Sequence, residues 1–280
     1  VSEPAAQARR TFRFVVQYDG RDFEGWQVQS GPRLARTVQG ELIAALESVC
    51  GEPVRVRGAG RTDAGVHAWG QVASVQLVTS LAPERIAAAV NARLDRDVVV
   101  LDVREAPADW DALRAARAKH YRYQIWNGPS RAPLLESSWH WVRETLDLGA
   151  MTESARAFLG HHDFASMQAA GSSVLTTDRT VLRFDVSGDS GAQITLDVVG
   201  EGFLRHMVRN LAGTLIEIGR GRWAPSRAQE ILASKDRGCA GPTAPAKGLA
   251  LVRVWDDLCD DLPPKPRSEF VSVDGSAPVG

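Results

Sequence analysis

Apolar residues recur along this 280-residue chain with two different periods, and the order in which the periods alternate is the strongest constraint on its fold. Phe12, Phe14, Val16 and Tyr18 stand at every second position, the spacing of a half-buried strand. Asp19-Gly20 closes that strand as a turn, and an irregular stretch over 21–36 follows. Thr37 then reads as an N-cap for Val38, Leu42, Ala45, Leu46 and Val49, which keep helical spacing until Gly51. A short strand over 54–57, a loop over 58–70 and a strand over 71–78 come next. Pro83 opens a helix through Ile86, Ala89 and Val90, and an apolar strand over 98–103 completes the order β-α-β-β-α-β.

The order then repeats. Tyr121, Tyr123 and Ile125 alternate as a strand, and a helix over 148–159 starts behind Asp147 and stops at Gly160. After a long loop over 161–178, strands over 181–187 and 193–199 form a hairpin across Gly188-Asp189-Ser190-Gly191. Helices over 203–218 and 225–233 and a final strand over 249–255 follow. The predicted class is α+β: two ferredoxin-like (βαββαβ) halves whose antiparallel sheets join into one larger mixed sheet, with helices packed on it and an active-site cleft between the halves. The expected boundaries are a tail over 1–10, an N-terminal half over 11–110, a C-terminal half over 111–256 and a tail rich in Pro, Asp and Ser over 257–280.

An apolar fraction of 44% supports a sizeable core, while a net charge of −1 excludes a global basic field, so any nucleic-acid binding has to use local patches. Three scattered cysteines (Cys50, Cys239, Cys259) point to a reducing compartment without a disulfide framework. No run has the length of a secretion signal or a membrane span. The expectation is a cytoplasmic protein.

One run stands apart: Gly58-Ala59-Gly60-Arg61-Thr62-Asp63-Ala64-Gly65-Val66-His67. Its glycines hold a backbone open, and Asp63 stands two residues from Arg61. A guanidinium beside a carboxylate favours the charged form, which suits a nucleophile or base better than a general acid. The run lacks the Gly-Lys-Ser/Thr ending of a phosphate loop and the repeated oxygen ligands of a calcium loop. A plain connecting loop built from turn residues explains the same spacing equally well.

Other stretches carry two readings each. Phe23, Trp26 and Gln27 suit a loop that stacks on and hydrogen-bonds a base, or a loop pinned by its own aromatics. Arg205 and Arg209, four apart with His206 between them, would repel on one helix face unless an anion bridged them or solvent screened them. Arg117, Lys119 and Arg122 interleave with Tyr121 and Tyr123 as in single-strand RNA platforms, although both tyrosines share a face and one face belongs to a core. His161-His162-Asp163 lacks further ligands at metal spacing, and no nucleotide fingerprint occurs, so neither metal nor cofactor is expected.

Several motifs together resemble the bacterial tRNA pseudouridine synthase A family. They are Tyr18-Asp19-Gly20, Gly25-Trp26-Gln27, Thr37-Val38-Gln39, the run from Gly60 to Ala68, Tyr121-Arg122-Tyr123, His162-Asp163-Phe164-Ala165-Ser166, the run from Phe203 to Asn210, and the run from Ala244 to Leu249. The resemblance implies an isomerase that turns uridine into pseudouridine in the anticodon stem-loop of tRNA. It makes Asp63 the catalytic aspartate, has Tyr121 line the uridine pocket and has Arg61 order the loop at the substrate. It also implies phosphate contacts by Arg205 and Arg209, no cofactor, and a homodimer that holds one tRNA against both subunits. A non-catalytic βαββαβ RNA-binding module and a glycoside hydrolase are the competing readings; the second requires another carboxyl group across the bond.

Overall fold

The computed structural model describes residues 9–29, 35–169, 171 and 174–264. Most of the two expected tails, residues 1–8 and 265–280, lies outside the described residues.

The first half runs β1 (Arg9–Tyr18), α1 (Val38–Cys50), β2 (Val56–Gly58), β3 (His67–Val78), α2 (Pro83–Asn91) and β4 (Val98–Ala106). Helix α3 (Ala112–Ala115) leads into the second half: β5 (Ala118–Trp126), β6 (His140–Trp141), α4 (Leu148–Arg156), β7 (Gly160–Asp163), β8 (Asp178–Gly188) and β9 (Gln193–Gly200). Then follow α5 (Met207–Gly219), α6 (Arg227–Ser234) and β10 (Leu249–Trp255). The caps act as the sequence predicts. Thr37 accepts from the Gly40 N–H, Asp147 accepts from the Ala150 N–H, and Gly51 closes α1 at φ 71°.

Among the described residues all strands belong to one 10-stranded sheet in the order β4-β1-β3-β10-β5-β9-β8-β7, with β2 beside β3 and β6 beside β5. Each half therefore uses the same arrangement, β4-β1-β3-β2 and β10-β5-β9-β8. The halves meet where β10 runs parallel to β3, with Ala250 opposite His67 and Leu251 opposite Ala68. Strand β1 covers the other edge of β3. The remaining edge is thus divided: β10 takes its beginning, and β2 takes its far part, Val56 opposite Val75 and Gly58 opposite Ala73. One apolar core runs through both halves, from Phe12 and Phe14 on β1 to Tyr123 and Ile125 on β5 and Leu211 and Leu215 on α5.

The structure corrects the expected bounds where tertiary pairing overrides local pattern. β3 begins at His67 rather than residue 71, because the four extra residues extend along β1 and β10 without any alternation of their own. α5 begins at Met207 rather than residue 203, because His206 sits in the left-handed region at φ 62°. The loop expected over 161–178 contains β7, paired to β8. The chain beyond β10 does not leave the fold at residue 257. Trp110 Nε1 donates to Asp257 Oδ1 at 2.6 Å, and Asp256, 1% exposed, accepts from Arg13 Nε at 2.8 Å.

Candidate active site

The loop between β2 and β3 spans the point where the two halves join. Residues that follow β1 hold it from below. The Trp26 N–H donates to Thr62 O at 3.1 Å, and the Gly65 N–H donates to Phe23 O at 3.3 Å. The hydroxyls of Tyr18 and Thr62 share a buried hydrogen bond of 2.7 Å. Burial pushes the Tyr18 phenol up to about 12 against the opposing hydrogen bonds of Thr62 and Gln71, so it stays neutral. Gly25 has φ 95°, and a Cβ there would lie 2.7 Å from Thr62 O, so the loop and its support fit only with glycine at that position.

Two further contacts fix the loop's ends. Gln71 Nε2 donates to Gly60 O at 3.0 Å. His67 Nδ1 accepts from the Gly20 N–H at 3.1 Å, which leaves Nε2 to donate to Lys247 O at 3.1 Å. The first half supplies the former partner and the segment before β10 the latter.

Asp63 stands on this support with its side chain 27% exposed. Arg209 Nη1 donates to Asp63 Oδ2 at 3.1 Å, and Arg209 Nε donates to Ala244 O at 2.8 Å. The guanidinium, 15% exposed, is thus held at two points. His206 Nε2 lies 3.5 Å from the same carboxylate oxygen. Burial holds His206 below its ordinary value, with the Asp63 charge opposing and Arg209 adding to the shift. Both neighbours lie at the start of α5, which Asn210 anchors: its Nδ2 donates to Met167 O at 2.8 Å, while its Oδ1 accepts from Arg237 and Thr243. The left-handed backbone at His206 carries strain of about 1–3 kcal/mol and turns this segment toward the loop.

Tyr121, 8% exposed on β5, packs edge-on against Phe203 at 5.3 Å and 87°. Burial raises its phenol, and Tyr18 and the Asp63 charge raise it further. Its hydroxyl makes no hydrogen bond among the described residues. Tyr123, two positions on and fully buried, donates to Pro245 O at 3.0 Å and packs in the core. Of the two tyrosines, therefore, Tyr121 is the one beside Asp63.

Several expected contacts are corrected. Phe23 and Trp26 are 3% and 1% exposed and pack in the core rather than standing in solvent, although Trp26 also lines a cavity beside β2. Gln27 Nε2 donates to Gln39 Oε1 at 2.5 Å. The arginine on Asp63 is Arg209; Arg61 is exposed and makes no ion pair among the described residues. Arg209 accordingly faces the carboxylate and not a bare helix surface, while Arg205 precedes the helix and is exposed. The basic strand face is partly neutralised, since Asp197 accepts from Arg122 Nε at 2.9 Å and from His120 Nε2 at 2.5 Å.

His162 donates to Leu159 O, and Asp163 accepts from Ala165 N and Thr177, so this motif holds loops together. Among the described residues no group of three or more His, Cys, Asp or Glu is placed to hold a metal ion. Among the described residues no second carboxylate makes an ion pair with Arg209 or His206. Sequence reasoning missed the Arg209–Asp63 pair, the Phe203 wall and the Tyr18–Thr62 bond. The motif from Phe203 to Asn210 carried the first two only as residues, not as contacts.

A carboxylate fixed by Arg209 near the Tyr121 and Phe203 rings suits covalent or base chemistry on a planar substrate. Residues 14–113 and 154–255 match the family described as tRNA pseudouridine synthase. The chain belongs to that family. It is 44% identical over 246 residues to tRNA pseudouridine synthase A of Pelobacter propionicus, which covers 88% of this chain and 99% of that protein. It is 44% identical over 247 residues to the Geobacillus kaustophilus protein of the same name (88% and 94%) and 45% identical over 248 residues to the Moorella thermoacetica one (86% and 98%). The synthase is thus an isomerase that converts tRNA uridine to pseudouridine. None of its described helices is long and apolar enough to cross a membrane.

Proposed function

We propose that Asp63 carries the isomerisation, on a uridine of the tRNA anticodon stem-loop turned out of its stack and laid against Tyr121. The observation that supports this most is the fixing of Asp63 Oδ2 by Arg209, itself tied to Ala244, which leaves Oδ1 to face a substrate. The reaction breaks the N1–C1′ bond, rotates the bound uracil and joins C5 to C1′. The C5 proton is lost and N1 gains one, so no atom is added overall. A carboxylate serves this either by attacking carbon or by removing the proton, and the geometry suits both. Extruding a base costs a few kcal/mol, roughly, and an aromatic wall such as Tyr121 with Phe203 offsets that by stacking. Arg61 and Arg205, exposed and without ion-pair partners among the described residues, are proposed as phosphate contacts around the pocket. A homodimer and a cytoplasmic location complete the reading; the mass from light scattering tests the first.

Asp63→Asn tests the assignment, because asparagine keeps the shape and turn preference while removing the charge. The variant should bind tRNA within about tenfold of wild type, a difference of about 1.4 kcal/mol. It should form no detectable pseudouridine in single turnovers with enzyme in excess, conditions that remove product release from the rate. Product at a rate near wild type would overturn the role of Asp63.

A further inference from the structure

A cavity of about 400 Å³ opens against the same loop but not over Asp63; its wall includes Gly58, Gly60 and Arg61. Neither Asp63, Tyr121 nor Arg209 lines it. Arg55, Arg57 and Arg61 do, and among the described residues no Asp or Glu does. In a chain of net charge −1 this is a local concentration of one sign. Val54 and Val56 point into the core, so Arg55 and Arg57 project together from the opposite face, about 6.6 Å apart along the strand. Arg57 is held in place by Asp111 at 2.7 Å, whereas Arg55 and Arg61 have no hydrogen bond or ion pair among the described residues. The floor is built rather than incidental. Gln39 donates to Val56 O at 2.7 Å and accepts from Val28 N at 2.9 Å and from Gln27, which also lines the cavity.

We propose that this cavity is a second RNA subsite, which takes the nucleotide next to the target uridine and holds its phosphate on Arg55 and Arg61. The inference rests on the reading of Asp63 as the catalytic centre. Arg61 and Asp63 are two residues apart, so their Cα atoms lie within about 7 Å. That is the scale of one nucleotide step, and a strand with its uridine at Asp63 brings a neighbouring phosphate to this cavity. The volume lies in the range of sites for molecules of nucleotide size. Guanidinium groups match phosphate oxygens in pairs, whereas an apolar partner would cover the Arg55 and Arg61 charges without a counter-ion.

The test uses the full chain and unmodified tRNA. Arg55→Gln should flatten the log–log salt dependence of tRNA binding by about one unit, and its loss should appear in KM more than in kcat. Arg55→Glu should weaken binding further. Arg85→Gln, on an exposed arginine of α2 outside the cavity, makes the same change in net charge and should leave the slope as it is. A photocrosslinking residue in place of Leu113, which lines the cavity and is 52% exposed, should label a nucleotide adjacent to the modified uridine. Unchanged slopes in both Arg55 variants would overturn the subsite, as would equal slopes in the Arg55 and Arg85 variants. Crosslinks confined to a second protein chain would do the same. An active Asp63→Asn variant would instead sink the catalytic reading, and the Arg55 slope would still report on the cavity.

Discussion

The second and third strands of each half are linked very differently. In the second half, β8 pairs with β9 from Val181 opposite Gly200 to Gly188 opposite Ile194, and a tight turn through Gly188 and Gly191 joins them. In the first half, β2 is three residues long and meets β3 only at its far part. The near part of β3 is taken by β10, from the other half. The chain between β2 and β3 therefore cannot close as a hairpin and must pass over the seam. That displaced connection carries Asp63, and α5 of the second half reaches it with Arg209. Where the repeat is kept, the link is a turn, and where the halves interrupt each other, the link is exposed to side chains from both.

Insertions test the comparison most severely. Two residues, Gly-Ser, placed after Asp189 should leave pseudouridine formation within about twofold of wild type, since loop tips tolerate extra chain. The same pair after Ala64 should abolish it, because a displacement of about 1 Å already costs on the order of 100-fold. Equal outcomes would mean that the two links are equivalent after all.

Arg209→Gln should follow, with kcat lower by about 10²–10³ and KM little changed, if the arginine acts by fixing and stabilising charge at Asp63. A loss confined to KM, together with a flatter salt dependence, would return Arg209 to the phosphate contact that its spacing from Arg205 suggested.

Tyr18→Phe leaves the buried Thr62 hydroxyl without its 2.7 Å partner and should lower stability by about 1–3 kcal/mol in urea unfolding. An unchanged midpoint would show that the loop is held by its backbone bonds alone.

The smallest effect concerns pH. Burial, with Arg220 and Lys247 adding, pushes His140 down to about 4 from 6.5, and burial also lowers His67. The unfolded chain takes up these protons near pH 6.5 while the fold resists them. The stability is therefore fully present above pH 6.5 and falls as pH drops toward about 4. Replacement of His140 by Asn should flatten that fall in denaturation midpoints between pH 7 and pH 4; an identical slope would remove His140 as its source.

Much of the fold was legible because it is written in short-range terms. The alternation from Phe12 to Tyr18 lies within β1, Thr37 caps α1, Pro83 opens α2, and β10 covers the residues expected for it. The candidate site was less legible. The Phe23–Trp26 loop reads as a stacking surface because aromatics and glutamines have the same sequence pattern whether they face a ligand or a core. At 3% and 1% exposure both rings pack in the core, with Trp26 also lining the cavity beside β2. Arg205 and Arg209 read as one face of one helix, but the left-handed His206 ends the helix between them. By spacing Lys119 belongs to a basic platform. It lies against Gly60 of the loop, and burial, with Arg179 adding, holds its ammonium below the usual value.

What the sequence determined by itself was the set of elements, their repeated order and the aspartate on a glycine-held loop, because periodicity, caps and glycine freedom act over a few residues. Only the tertiary structure decided which arginine meets Asp63, since Arg209 lies 146 residues away and reaches it through the parallel pairing of β10 with β3. It also decided which tyrosine lies near Asp63, and that the nearby cavity is lined by arginines from β2, its approach and the loop. Local pattern sets which face of a strand a residue occupies; what that face meets depends on contacts between distant segments, which form only when the two halves share one sheet.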